Sequence, residues 1–241
     1  MARRTRWTPT GWTQLAVVRG NNGQPIFIDD VDRQYWLDLA AREATRLGVD
    51  VHAFSLLSDK AYWLVTPCQD DAFSQWMQSL GRFYVRYFNR RHQRSGTLWE
   101  GRYRAGLLQP ERHLLSAMAF LDWAPAQEGL AANPADWKWS SYAHYAGRRL
   151  DKWLHPHTML WSLGNTPFAR EAAYARLVAA GLSQDLHRSF GDLSMHGWPM
   201  GDSGFLKRLE ALLGTKVQRQ KAGRPKKEVL QRIASPSSIV N

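Results

Sequence analysis

Leu56-Leu57-Ser58-Asp59-Lys60-Ala61-Tyr62-Trp63-Leu64-Val65-Thr66-Pro67 is an apolar run, a Ser-Asp break, a second apolar run and a proline stop. Two short apolar runs around a two-residue polar break spell a β-hairpin, with Val49–Leu57 as its first strand and Lys60–Thr66 as its second. Before it, Thr13–Arg19 reads as a strand, and Gly20-Asn21-Asn22-Gly23 forces a turn. Asp29 or Asp30 caps a helix that runs to about Leu47 and stops at Gly48. After the hairpin, Phe73, Trp76, Met77, Leu80, Tyr84 and Tyr87 recur at spacings of three and four, the stripe of an amphipathic helix that Ser95-Gly96-Thr97 breaks. Tyr103–Leu108 supplies a fourth strand. Pro110 opens a further helix that reaches Trp123, with Pro125 closing it. Strand, helix, hairpin, helix, strand, helix is an α+β order: a ferredoxin-like antiparallel sheet with packed helices. Residues 1–149 form this core. Residues 150–214 read as a small helical extension, with helices near Ala169–Ala180 and Phe205–Leu213, and residues 215–241 as a basic, flexible tail.

The chain has 241 residues, 32 Lys+Arg against 21 Asp+Glu, and a formal net charge of +11. That excess calls for an anionic partner, nucleic acid before membrane. No apolar stretch approaches the ~20 residues of a membrane span, and no secretory signal follows the basic start. Cys68 is the single cysteine, which excludes an internal disulfide and fits a reducing cytoplasm.

Several blocks resemble the REP-associated tyrosine transposases of bacteria, a group of single-tyrosine HUH transposases. They are Arg19-Gly20-Asn21-Asn22, Tyr87-Phe88-Asn89-Arg90-Arg91-His92, Thr97-Leu98-Trp99-Glu100-Gly101-Arg102-Tyr103, Trp139-Ser140-Ser141-Tyr142 and Leu163-Gly164-Asn165-Thr166-Pro167-Phe168. The resemblance spans most of residues 10–227 and implies the same ferredoxin-like HUH core. It also implies where chemistry would sit. In that family the second hairpin strand carries His-hydrophobic-His, which holds Mg²⁺ or Mn²⁺. A later Tyr-x-x-x-Asn-Pro supplies the tyrosine that attacks a DNA phosphate and an asparagine beside the metal. Here those four places hold Lys60, Tyr62, Phe120 and Ala124. An ammonium repels a cation, a neutral phenol ligates one poorly, and phenylalanine lacks the attacking oxygen. Gln14-Leu15 stands where relatives often carry His-His. The resemblance therefore implies a degenerate site with no metal and no cofactor, which weighs against an enzyme.

Positive charge survives that loss. Arg82, Arg86, Arg90, Arg91, Arg94, Arg102 and Arg104 fall within 23 residues, opposed only by Glu100, and the first three share one helix face. With Arg19, Lys60 and Trp99 they form a candidate DNA surface of guanidinium groups interleaved with aromatic rings. An ammonium at position 60 could hold a phosphate where relatives hold a metal. In the tail, Gly223-Arg224-Pro225-Lys226 is similar to the core of a minor-groove AT-hook, making Arg224 and Lys226 further candidates. His155-Pro156-His157 reads as a surface turn rather than a chelate.

The expected partner is single-stranded or hairpin DNA, met at the cytoplasmic nucleoid. Pairing into a homodimer through the sheets is implied by the resemblance. A DNA-binding protein that does not cut is the first reading. A transposase or nickase with a rebuilt site is the second, and a protein-interaction module that kept only the fold is the third.

Overall fold

The computed structural model describes residues 7–217. Four strands, β1 (Gln14–Arg19), β2 (Val49–Leu56), β3 (Lys60–Pro67) and β4 (Arg104–Leu107), form one antiparallel sheet in the order β2-β3-β1-β4. Helices α1 (Asp30–Leu47) and α2 (Ala72–Arg91) join β1 to β2 and β3 to β4. This is the ferredoxin-like order read from the sequence. The caps explain the ends of α1. The Asp29 carboxylate accepts from the backbone N–H groups of Val31 and Asp32, and Gly48 closes the helix at φ 68°.

Directly paired residues share a sheet face, so the registers Val17↔Tyr62, Leu15↔Leu64 and Arg19↔Lys60 place these six on one side. The other side carries Trp63, whose ring meets Trp36 of α1 and Trp76 of α2 at centroid distances of 6.2 and 5.0 Å. That aromatic layer is the main core.

The Lys60 side is covered by α3 (Pro110–Gln127) and α6 (Gln184–His196). Helix α3 runs through Pro125, four residues past the expected end at Trp123. Proline removes one i→i−4 bond and crowds the carbonyl four residues back. The ring is buried, and only the last helical turn lies beyond it, so the local loss is offset by packing. Helix α6 was not anticipated, although Ser183 caps its start, Gly197 its end, and Leu186, Phe190 and Leu193 repeat at four and three. It lies so close to β4 that a Cβ on Gly106 would come within 2.8 Å of the Leu193 side chain, so that strand position requires glycine.

The segment 150–214 shares the main core through Leu154, Leu160, Tyr174, Val178, Phe190 and Leu193. Helix α5 (Pro167–Ala179) is tied to α3 by Tyr174, which donates its hydroxyl proton to the buried Asp122 at 2.5 Å. Helix α7 (Ser203–Leu213) and Leu107 build a smaller cluster with Val217. The short helix α4 (Tyr142–Tyr145) follows Ser141, whose backbone N–H bonds to Phe54 O of β2.

Both sheet edges are occupied by the chain itself. Along β2, Leu56 N–H donates to Trp139 O, and His155 N–H to Val51 O. Along β4, Met200 exchanges backbone bonds with Leu107 and Gln109. A second copy could extend this sheet only by displacing one of those segments.

Candidate functional site

Residues 60 and 62 project from the same face of β3, and α3 brings residues 120 and 124, with the C-cap residue Glu128 just past its end, down onto them. The Phe120 ring meets Tyr62 edge-on at 5.8 Å, and Lys60 Nζ lies 2.5 Å from Glu128 Oε1. The positions singled out in sequence therefore do converge. Phe120 and Ala124 are buried, at 4% and 6% exposure, and α6 closes over them with His187 and Phe190 centred 5.1 and 5.5 Å from the Phe120 ring.

This cluster does not fit a divalent cation. Its sheet side offers an ammonium and a phenol, and its helix side a benzyl ring and a methyl group. The carboxylates at hand, Glu128 and Asp59 at 3.5 Å, are both engaged by Lys60. Among the described residues, no three His, Cys, Asp or Glu side chains gather where they could hold an ion. Tyr62 is a poor substitute nucleophile. Burial first, and the Glu128 charge second, push its phenol up to about 12, so the phenolate is scarce at neutral pH.

Sequence alone did not single out Glu128, and its pairing changes the reading of Lys60. The Lys60 side chain is 13% exposed, and its ammonium is spent on two carboxylates rather than offered to a phosphate. Lys60→Ala should shift DNA affinity at low salt by less than about twofold, the small effect of a charge already neutralised. Fluorescence anisotropy on a labelled hairpin tests this, and a tenfold loss would restore the phosphate-clamp role.

The arginines sort in the same way. Arg91 forks onto Asp29 and Asp32, and its guanidinium holds the Asp29 carboxyl well below the ordinary range. Arg94 donates to Gln24 Oε1 and covers the Phe88 ring. Arg19 and Arg104 flank Glu100 at 3.4 and 3.0 Å. Arg82, Arg86 and Arg90 stand exposed along α2, and Arg102 on the loop before β4, with no ion pair among the described residues. Arg86 and Arg90, with Phe83 and Tyr87 and with Tyr35 of α1, border a shallow hollow of about 590 Å³. Trp99 is half-buried: its indole N–H donates to Gly81 O at 3.0 Å, and its ring packs 5.6 Å from Trp36. Arg224 and Lys226 lie outside the described residues.

The His155-Pro156-His157 segment is not itself a turn: the turn falls at Lys152-Trp153, and these residues follow it as irregular chain beside β2. His155 Nδ1 lies 2.8 Å from Asp50, and the His157 ring nitrogen Nδ1 accepts from Met159 N–H. The buried His52 beside them must donate from Nδ1, because its partner, the His155 carbonyl at 2.7 Å, can only accept.

No protein-family model matches the chain, and no curated protein matches it. Among solved structures, the REP-associated tyrosine transposase bound to a REP hairpin superposes with a TM-score of 0.52 at 14% identity, covering 66% of this chain and 93% of that one. A protein from Deinococcus radiodurans R1, provisionally assigned as a transposase, also matches, with a TM-score of 0.36 at 14% identity over 48% of this chain and 92% of that one. The chain therefore has the fold of the REP-associated tyrosine transposase.

Proposed function

We propose that this protein is a DNA-binding relative of the REP-associated tyrosine transposases that no longer cuts DNA. One observation carries the reading. In a transposase fold, the place where the family resemblance puts the nucleophile holds a buried phenyl ring beneath α6, while Arg82, Arg86 and Arg90 on α2, across the sheet, and Arg102 on the loop before β4 are exposed with no ion pair among the described residues.

Strand cleavage through a phosphotyrosine needs a phenol oxygen at the scissile phosphate and a cation to stabilise the oxygen that leaves. Phe120 cannot form the bond, and Lys60 cannot ligate the ion. Binding makes fewer demands. Guanidinium groups at intervals of four along an exposed helix meet successive phosphates, and the adjoining aromatic rings offer stacking surfaces. Arg82, Arg86, Arg90 and Arg102 are the contacts best placed for this. Arg19, Arg91, Arg94 and Arg104 shape that surface through internal pairs. The solved relative was captured on a REP hairpin, and a folded single strand of that kind is the proposed partner here. The work of such a protein is regulatory or accessory, at the nucleoid.

Purified protein incubated with single-stranded hairpin DNA and Mg²⁺ or Mn²⁺ should shift the DNA at low salt and leave every strand intact. Denaturing gels that show a covalent protein–DNA adduct or a nicked strand would overturn the silent-site reading in favour of a rebuilt enzyme. Absence of any shift at low salt would favour a protein-interaction module.

A further inference from the structure

The two most exposed large apolar side chains among the described residues are Phe168, at 79%, and Leu150, at 69%. Both stand beside a cleft of about 530 Å³ between the segment after α4, the 3₁₀ turn Thr158–Leu163 and α5. Leu150 and the exposed ring of Trp161 line it. Phe168 directly follows Pro167, which also lines it, and neighbours Glu171 on the helix surface. Nothing local calls for these side chains. The Thr166 cap and Pro167 start α5, so position 168 needs no ring. In the 3₁₀ turn Leu160 is the buried member, and Trp161 is left outside. Large apolar side chains gathered around one hollow, on a chain whose core is already built, mark an interaction surface.

The charges around the cleft say what covers it. Arg148 and Glu171 both line it, and neither has an ion pair among the described residues. The Arg148 guanidinium lies 5.6 Å over the Tyr142 ring. The Glu171 carboxylate lies against the backbone of Gly147, so close that a Cβ there would overlap it. Opposite charges thus stand at neighbouring positions without pairing. An acidic partner would satisfy Arg148 and be repelled by Glu171; a basic partner would do the reverse. A surface that carries a cation, an anion, a hollow and a projecting ring is complementary to itself. Two-fold pairing uses all four, because residue i then meets j while j meets i. Trp161 is ready for such a contact. Arg170 covers one face of its ring at 4.5 Å and is anchored on Gly164 O at 3.1 Å. A ring fixed beforehand costs less to bury.

We propose that this face joins two copies of the chain. Phe168 of each copy fills the cleft of the other, and Arg148 of each meets Glu171 of the other, once on either side of the axis. This is not the pairing through the sheets that the resemblance implied, since both sheet edges are taken by the chain itself. It stands apart from the DNA-binding reading. Helix α5 packs on α3, across the sheet from α2, so the arginines of α2 stay clear of the interface. The pair presents two arginine ladders, which lets it grip two anionic segments of one molecule at once.

Sedimentation velocity on the full chain, without DNA, tests the proposal. Wild-type protein should pass from one chain to two with a half-point at about 10 µM or below. Phe168→Asp removes the projecting ring at an exposed position, so the melting temperature should hold while pairing weakens at least about a hundredfold. Arg148→Glu sets two carboxylates against each other on both sides of the axis and should weaken pairing to a similar degree. Arg148→Glu combined with Glu171→Arg restores opposite charges, and pairing should return to within about threefold of the wild type. The proposal fails if the wild type stays a single chain up to about 100 µM, if Phe168→Asp still pairs, or if the charge swap leaves the chains apart. Hairpin binding by the same samples is a separate readout, and its loss overturns the DNA-binding reading while pairing stands.

Discussion

Replacing Arg82, Arg86 and Arg90 together with alanine should weaken binding to hairpin DNA about a hundredfold at low salt, at about 1 kcal/mol for each lost phosphate contact. The dependence of log affinity on log salt should become shallower by about 3, because each neutralised phosphate contributes roughly 0.9 to the slope. These side chains are exposed and have no ion pair among the described residues, so the melting temperature should barely move. A control triple, Arg176→Ala, Lys207→Ala and Arg208→Ala, removes the same formal charge from exposed positions on α5 and α7. If the two triples weaken DNA binding equally, the basic charge acts as a diffuse cloud and the α2 face is not the binding surface. If only the first does so, the ladder is the contact.

The second large effect concerns stability. Asp122 is fully buried in α3, where burial raises its carboxyl to about 7, with the Tyr174 hydroxyl proton pulling the other way. The unfolded carboxyl titrates near 3.9. Between roughly pH 4 and pH 7 the native state therefore holds a proton that the unfolded chain has released. The stabilisation is complete below pH 4 and is lost as pH rises to 7, by about 4 kcal/mol in all. His52 works in the opposite sense. Its burial lowers the imidazole to about 4, so its contribution is complete above pH 6.5 and falls away towards pH 4, by about 3 kcal/mol. Between pH 4 and 6.5 these two trends oppose each other, and His113, His144 and His157, also lowered by burial, add to the His52 side. Asp122→Asn leaves an acceptor for Tyr174 but removes the titration. Urea unfolding should then show the variant gaining stability over the wild type as pH rises through this window, because every other titrating group is common to both. Parallel profiles would mean that the Asp122 carboxyl is ionised in the fold at neutral pH.

Local chemistry made much of this legible from the residues alone. Alternation and caps define β1, α1 and the hairpin, because a strand's faces and a helix's ends are set by neighbours a few residues away. The same locality explains the failures. Pro125 stops a helix in isolation but not when its ring is buried. Helix α6 carries ordinary caps at Ser183 and Gly197, but its apolar stripe of Leu186, Phe190 and Leu193 is short and stands out from the neighbouring turns only once it packs on the sheet. The arginine cluster looked uniform because adjacency in sequence says nothing about who stands opposite.

By itself the sequence determined that Phe120 has no oxygen to give a phosphate, that Lys60 cannot ligate a cation, and that a run of arginines survives on one helix. These are properties of side-chain atoms and of helical spacing. Only the tertiary structure decided that Glu128 takes the Lys60 ammonium across 68 residues, that Asp29 takes Arg91 across 62, and that α6 seals Phe120 from solvent. Folding brings charges together across long separations, and a charge is available to DNA only when no nearer partner has already claimed it.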